Sequence, residues 1–115
     1  TALGKPIATL PRIQRQIGEI DAGLQAARAL LFEVAGLWTG EGDRAAYMAR
    51  IAAAKCVVTA TADEATEKAL QAAGGAAVTR ALPLERYFRD VRPSAMQPPA
   101  GDTAYEMVGR AALGL

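Results

Sequence analysis

Apolar residues in the first third of the chain recur at alternating spacings of three and four positions. The stripe that they form consists of Leu10, Ile13, Ile17, Ile20, Leu24, Ala27, Leu31, Val34 and Trp38. This spacing predicts one helix from about Pro11 to Trp38, with Pro11 in its first turn and Thr9 as its cap. Trp38 is expected to anchor a core or an interface. A helix of this length, about 40 Å at 1.5 Å per residue, is typical of a helical bundle.

A second long helix is predicted after the glycine-containing break at residues 39–42. Asp43 is expected to cap it, and Gly74 is expected to end it. Alanine supplies most of its apolar side, which favours close approach of neighbouring helices. The Thr59–Asp63 segment is weaker helix material and is a candidate kink.

Two shorter helices are predicted in the last third of the chain. One runs from Pro83 to about Val91 and is expected to end at Pro93; the other runs from about 102 to 112 with Asp102 as its cap. The strand periodicity of two residues does not occur. The predicted fold is therefore all-α, an antiparallel helix bundle that forms one domain over residues 1–115.

The composition of the chain excludes several classes of protein function. The net charge is +1, from 13 basic and 12 acidic residues, so the chain has no broad basic field for nucleic acid or an anionic membrane. No apolar run reaches the 18–20 residues of a membrane span. A single cysteine excludes an internal disulfide and fits a reducing compartment, so we expect a cytoplasmic protein. The first residue is Thr1 rather than Met, and we interpret the chain as a piece of a longer protein.

The sequence offers little catalytic chemistry of its own. The absence of histidine excludes Ser-His and Cys-His dyads and ordinary zinc sites within the chain, and we expect no metal site. The paired carboxylates Asp63-Glu64 and Glu41/Asp43 are interpreted as solvated helix caps. Cys56 stands among alanine and valine, so it is expected to be a small core residue rather than a nucleophile.

The segment from Gln71 to Arg92 is the most informative part of the chain. It ends the second helix with Gly74-Gly75, which forms either a helix cap or a place where the backbone approaches another group closely. The helix that follows carries Arg86, Arg89, Asp90 and Arg92. These charges form either a solvated face or a site for an anion.

Six segments, in this order along the chain, resemble the C-terminal domain of the acyl-CoA dehydrogenase superfamily. They are Leu3-Gly4-Lys5-Pro6-Ile7, Ile20–Arg28, Tyr47-Met48-Ala49-Arg50, Gln71 with Gly74-Gly75, Thr79-Arg80 with Leu82-Pro83-Leu84-Glu85-Arg86, and Tyr87-Phe88-Arg89-Asp90-Val91-Arg92. Each segment alone also occurs in unrelated proteins, but the six segments in this order are specific to the superfamily. The chain is therefore identified as a member of this superfamily.

The resemblance implies an FAD enzyme built from a helical domain, a β-barrel and a final helical bundle. This chain would be most of that four-helix bundle, with the bundle's first helix missing upstream. The implied reaction is α,β-dehydrogenation of an acyl-CoA thioester. A homotetramer or a homodimer is implied, and electron-transfer flavoprotein is a candidate electron acceptor.

The resemblance also implies which residues bind the cofactor. In the family, the Gln-x-x-Gly-Gly loop reaches the FAD of a neighbouring subunit, and this role falls on Gln71, Gly74 and Gly75. Arg89 is a further candidate for cofactor binding, although packing with Asp90 would explain it equally well.

Two departures from the family pattern leave the reaction open. The glutamate that serves as catalytic base in many members falls on Pro98, and proline cannot remove a proton; other members place the base on the upstream helix. The C-terminal ending, 105–114, is closer to a branch that includes flavin-dependent monooxygenases. The alternatives to a dehydrogenase are therefore such a monooxygenase or a catalytically silent subunit of a hetero-oligomeric dehydrogenase.

Overall fold

A computed structural model describes residues 6–75 and 81–115 of the chain. These ranges contain four α-helices and no strand, which confirms the all-α prediction: α1 (Pro11–Thr39), α2 (Met48–Ala73), α3 (Leu84–Val91) and α4 (Gly101–Ala112). Short 3-10 helices occur at Ile7–Thr9, Arg44–Tyr47 and Arg92–Met96. Parts of two segments that carry the family resemblance, Leu3-Gly4-Lys5 and Thr79-Arg80, lie outside the described residues.

Helix α2 is the element against which the other helices pack. Its extensive contacts are with α1 along one side and with α3 and α4 along others. The molecule measures 58 × 25 × 24 Å and has a radius of gyration of 17.7 Å, whereas a compact chain of about 100 residues has about 13 Å. The chain thus forms an elongated layer around α2 rather than a closed globule.

Small side chains dominate the buried positions. Those found in the described ranges are Ile13, Ala27, Val34, Ala52, Ala54, Cys56 and Ala104. Ala52, Cys56 and Ala104 form one cluster between α2 and α4, with Met107 and Val108 packed against it. Cys56 is 5% exposed and free, as expected for a core residue.

The apolar stripe of α1 is only partly covered, which corrects the sequence prediction. Ile13, Ala27 and Val34 are buried, on a helix whose main contact is with α2. The stripe members one turn along, Ile17, Leu24, Leu31 and Trp38, are 50%, 40%, 44% and 40% exposed. The stripe is wider than the single contact with α2, so half of it faces outward.

The N-caps expected at Thr9 and Asp102 are wrong. The hydroxyl of Thr9 donates to the Pro6 carbonyl at 2.8 Å, within the 3-10 helix, and Leu10 occupies the cap position of α1 without a side-chain bond. Asp102 lies inside the first turn of α4 because that helix begins at Gly101. The Asp102 carboxylate still favours the positive end of the helix dipole there.

The expected boundary at Asp43 is confirmed with a refinement. Its carboxylate accepts a hydrogen bond from the Ala45 N–H at 2.9 Å and so caps the 3-10 helix that leads into α2. Helix α3 ends at Val91, as predicted, and Pro93 lies just beyond it. Pro93 occupies the first turn of the 3-10 helix Arg92–Met96, where its missing N–H costs no hydrogen bond.

Helix α2 passes through the Thr59–Asp63 segment as one helix, so the candidate kink does not break it. The hydroxyl of Thr59 donates to the Lys55 carbonyl at 2.8 Å, one turn earlier. Thr66 repeats the arrangement toward Ala62 at the same distance. Threonine is accommodated in the helix because its hydroxyl finds an acceptor there.

Asp63 and Glu64 lie in the middle of α2, so they are not the helix caps that the sequence predicted. Glu64 accepts from the Lys68 ammonium at 2.9 Å, and Glu19 of α1 accepts from the same ammonium at 3.2 Å. The hydrogen bond to Glu64, followed by that to Glu19, raises the pKa of Lys68 above its ordinary value of 10.5. Lys68 thus connects α1 to α2 through charge.

We predict that Ala104→Leu destabilises the protein by about 1–3 kcal/mol, because Ala104 is fully buried between α2 and α4 and a larger side chain would force the helices apart. Urea unfolding of the purified protein measures this change. Ala111→Leu, an exposed position on the same helix, is the control and should change stability by less than about 0.5 kcal/mol. Equal effects at the two positions would contradict the packing of α4 on α2.

We also predict that Lys68→Met removes a stabilisation that depends on pH. A lysine whose pKa is raised in the folded state stabilises it below its unfolded pKa, and that contribution is lost as the pH rises through the folded pKa. The difference in free energy of unfolding between the native protein and Lys68→Met should therefore be constant near neutral pH and shrink above about pH 10.5. Arginine stays charged at that pH, so the difference in free energy of unfolding between Lys68→Arg and Lys68→Met should not shrink. If the difference between the native protein and Lys68→Met also stays constant with pH, the contribution of Lys68 is refuted.

Candidate functional site

The end of α2 presents Gln71 and the two glycines that the sequence singled out. Gln71 lies in the last turn of α2, and its side chain is exposed. Gly74 is the C-cap; its φ of +68° is in the region that favours glycine, and its N–H donates to the Leu70 carbonyl. The structural role expected of Gly74 is therefore present.

Gly75 differs from Gly74 because its own backbone does not require glycine. It has no positive φ, and a β-carbon built at Gly75 would meet no atom of the described chain within 4 Å. The residue is exposed. Its missing side chain leaves backbone open to close approach by a group from outside the described residues. The same is true of some glycines on exposed helix faces, such as Gly109, so this openness permits a contact without identifying its partner.

Arg89 projects from α3 and is held by its own helix. Its Nε donates to Glu85 Oε2 at 2.9 Å, and its Nη2 donates to Glu85 Oε1 at 3.4 Å. Of the two acidic partners that the sequence suggested on this helix, Asp90 and Glu85, the structure places Glu85 against Arg89. The side chain of Arg89 is 67% exposed, and an exposed pair of this kind contributes little to stability, so Arg89 could exchange Glu85 for another anion at small cost.

The four candidate residues lie on two different helices. Gln71, Gly74 and Gly75 stand at the end of α2, and Arg89 stands on α3. Within the described ranges, no hydrogen bond or ion pair joins Arg89 to Gln71, Gly74 or Gly75.

Arg92 has a different role from Arg89 because it fastens α3 to α2. Its guanidinium stacks over the ring of Phe88 at 3.9 Å, and its Nη1 lies 3.8 Å from Asp63 Oδ1. The partly buried pair connects the two helices near the middle of α2 through charge rather than a hydrogen bond, because in the described part of the chain Asp63 Oδ1 and Arg92 Nε have no hydrogen-bond partner. Sequence reasoning missed it because the partners are 29 positions apart in the chain.

Pro98 lies in the Gln97–Ala100 connection between the 3-10 helix Arg92–Met96 and α4. Lys55 of α2 donates from its ammonium to the Gln97 carbonyl at 2.5 Å and also to the Pro99 carbonyl. A cavity of about 160 Å³ lies beside this connection and is lined by Lys55, Cys56, Asp63 and Tyr105 among others. The sequence did not reveal the role of Lys55 because its acceptors are backbone carbonyls, which every residue has, so the sequence gives no sign of which carbonyls lie near it.

Two apolar openings occur along α2. The larger, about 600 Å³, lies between α1 and the first half of α2, and its lining includes Leu31, Trp38, Met48, Ile51 and Val58. A second, about 340 Å³, is enclosed by α1, the second half of α2, and α3. The uncovered half of the α1 stripe contributes Leu31 and Trp38 to the first opening and Leu24 to the second.

Neither a metal centre nor a membrane span is indicated in the part of the chain that the structure describes. No group of three or more cysteine, aspartate and glutamate side chains there is placed to hold a metal ion. None of the helices in the same ranges combines the length and the hydropathy needed to cross a membrane.

Comparison with known proteins identifies the relatives of the chain. A model of the family described as "Acyl-CoA dehydrogenase, C-terminal domain" matches residues 1–112. YdbM of Bacillus subtilis, which is named as an acyl-CoA dehydrogenase, is 36% identical over 101 residues, or 88% of this chain and 26% of YdbM. The mitochondrial short-chain specific acyl-CoA dehydrogenase of Bos taurus is 29% identical over 92 residues, or 80% of this chain and 22% of that protein.

One relative carries a different enzyme name. The 3-sulfinopropanoyl-CoA desulfinase of Cupriavidus necator is 36% identical over 89 residues, or 77% of this chain and 22% of the desulfinase. The chain spans about a quarter of the length of these curated relatives. Because the family match extends over nearly the whole chain and the helices have the predicted order, the chain belongs to the acyl-CoA dehydrogenase family through the C-terminal domain of that family.

Proposed function

We propose that the chain is the C-terminal helical-bundle domain of an FAD-dependent oxidoreductase that acts on an acyl-CoA thioester. The observation that carries the proposal is the family match over residues 1–112. The bovine and Cupriavidus relatives are both named for CoA thioesters, although one is a dehydrogenase and the other a desulfinase. The thioester is therefore the part of the proposal that these two names share.

The proposed reaction is α,β-dehydrogenation. The chemistry that FAD supplies when bound is acceptance of the β-hydride while a base removes the α-proton, so that the thioester gains a double bond. Pro98 has no group that accepts a proton, so the base of this reaction must come from a residue other than Pro98. Electron-transfer flavoprotein fits as the partner that receives the electrons.

The residues proposed to contact FAD are Gln71, Gly74, Gly75 and Arg89. The exposed amide of Gln71 supplies a neutral hydrogen bond, and the open backbone at Gly75 permits close approach. Arg89 supplies a positive charge that can leave Glu85 for a phosphate. These features fit an anionic dinucleotide that is contacted from both α2 and α3.

The spacing along α2 supports a contact with the cofactor of a neighbouring subunit. Gln71 follows Lys55 by 16 residues, about 24 Å along the helix, so the Gln71 end lies far from the connection that contains Pro98. If that connection borders the subunit's own active site, the Gln71 end is free to serve another. A homotetramer or a homodimer would supply that second site.

The uncovered apolar surface supports a place within a larger protein. Leu31 and Trp38 are exposed in the 600 Å³ opening, and Phe32 is 67% exposed on another side of α1. Large apolar side chains grouped at one exposed opening are typical of a surface that another part of a protein contacts. We propose that a preceding helix of the same bundle and a neighbouring subunit cover these surfaces. The single buried thiol, Cys56, fits a cytoplasmic location.

Pro98 favours a second candidate function. A flavin-dependent monooxygenase on the same fold uses reduced flavin and oxygen and needs no carboxylate base. A silent subunit, which would lend the Gln71 end to an active partner, also needs no base. Both candidates keep the cofactor contact and differ from the dehydrogenase in the chemistry at the Pro98 connection.

We predict that the full-length protein, loaded with FAD and kept anaerobic, loses its oxidised-flavin absorption when it is mixed with at least one acyl-CoA from a series of increasing chain length. The loss of absorption would record hydride transfer from the β-carbon. Free CoA and the corresponding carboxylic acids are the controls, since they lack the acidified α-proton of the thioester.

If no acyl-CoA in the series reduces the flavin, the dehydrogenase proposal is wrong. Oxygen consumption with supplied reduced flavin and an aromatic substrate would then favour the monooxygenase. Co-purification with a homologous subunit that carries a glutamate at the Pro98 position would favour the silent subunit.

We predict that Gly75→Leu weakens FAD retention in the full-length protein by about tenfold or more, because the new side chain would fill the space through which the backbone approaches the cofactor. The ratio of FAD to protein after gel filtration measures the effect. Gly109→Leu is the matched control: Gly109 is also exposed and also has open space at its β-carbon position, but it lies on α4. Normal FAD content in Gly75→Leu, or the same loss in both variants, would remove Gly75 from the cofactor site.

A further inference from the structure

The Gln97–Ala100 connection has few hydrogen bonds of its own. Pro98 and Pro99 have no N–H, so two of its four residues cannot donate from the backbone. The Gln97 N–H makes a long bond of 3.4 Å to the Ser94 carbonyl, and the Ala100 carbonyl accepts from Ala104 at 2.8 Å. Those two bonds fix the ends of the connection and leave the carbonyls around Pro98 to be satisfied from elsewhere.

Lys55 satisfies them. Its ammonium donates to the Gln97 carbonyl at 2.5 Å and to the Pro99 carbonyl, so the two acceptors on either side of Pro98 converge on one donor. Hydrogen bonds from a charged donor are shorter and stronger than neutral ones. Lys55 makes these bonds from the middle of α2, over separations of 42 and 44 residues.

Lys55 also stands between two cavities. Its side chain lines the 600 Å³ apolar opening on one side and the 160 Å³ cavity beside Tyr105 on the other. The stem of lysine can border apolar surface while its ammonium bonds to polar groups. Ala95 and Gly101, which flank the connection in the chain, also line the smaller cavity, so Lys55 borders that cavity together with both ends of the segment that it holds.

We propose that Lys55 is a positioning residue that holds the Gln97–Ala100 connection against α2 and thereby sets the wall that this connection gives to the acyl-CoA site. The second part of the proposal rests on the proposed function, because it takes Pro98 as the position that faces the substrate. Lys55 does not touch the reacting atoms in this proposal; it acts through the two carbonyls.

The test compares the native full-length protein with Lys55→Met, Lys55→Arg and Lys68→Met. Methionine keeps the length and apolar stem of lysine but donates no hydrogen bond, whereas arginine retains charged donors. Lys68→Met removes a lysine of the same helix that bonds to Glu64 and Glu19 rather than to the connection. Hydrogen–deuterium exchange of a peptide containing Gln97, Ala100 and Gly101 is measured alongside a peptide from α1.

Lys55→Met should raise exchange in the connection about tenfold or more and leave the α1 peptide unchanged, because loss of a charged hydrogen bond is of that order. Lys55→Arg should restore most of the protection, and Lys68→Met should not affect the connection. Unchanged exchange in Lys55→Met would overturn the clamp. Equal loss of protection in the arginine variant would also overturn it, because the charged donors would then have no effect.

A second readout separates positioning from general stability. In stopped-flow mixing with an acyl-CoA that reduces the native flavin, Lys55→Met should lower the limiting rate of flavin reduction about tenfold at normal FAD content, with recovery in Lys55→Arg. An unchanged rate together with raised exchange would refute the role in the acyl-CoA site while leaving the clamp in place. If no acyl-CoA reduces the native flavin, the proposed function and the acyl-CoA part fail together, and the exchange experiment still decides whether Lys55 holds the connection.

Discussion

Close packing of α2 against its neighbours is the constraint on which the rest of the structure depends. Ala52 and Cys56 of α2 meet Ala104 of α4, and Ala54 is buried elsewhere on the same helix. Small side chains allow backbones to approach, and a close approach fixes the relative placement of helices more tightly than long flexible side chains would. Every described feature of functional interest is consequently positioned by its relation to α2.

That dependence explains how one helix organises two distant regions. The Lys55 ammonium reaches the carbonyls beside Pro98 because the contact of Ala104 with α2 brings the start of α4, and the connection before it, to that side of α2. At the far end, Gly74 ends the helix and leaves Gln71 exposed. The pairing of Arg92 with Asp63 holds α3 between these regions. A shift of α2 would therefore disturb both regions together.

The sequence predicted the helices well because the residues at their ends determine where each helix begins and stops. Pro11, Asp43 and Gly74 mark boundaries through effects that act within one turn. The caps expected at Thr9 and Asp102 were wrong because the cap position of α1 is Leu10, one residue after Thr9, and that of α4 is Ala100, two residues before Asp102. The Lys55 contact could not be predicted, since its acceptors are carbonyls more than 40 residues away.

The partial exposure of the α1 stripe shows what hydrophobic periodicity does and does not report. Leu31 and Trp38 belong to the apolar stripe of α1, yet the described chain leaves them 44% and 40% exposed. The periodicity therefore identified the apolar face of the helix without identifying what covers it. The comparisons likewise identify one property of the protein and leave another open. The family match identifies the fold of the chain. Two of its relatives are named for CoA thioesters, but one is named as a dehydrogenase and the other as a desulfinase, so the relationship does not identify the reaction. Proline at position 98 supplies no base, so under the proposed function the base must come from another residue of the full-length protein.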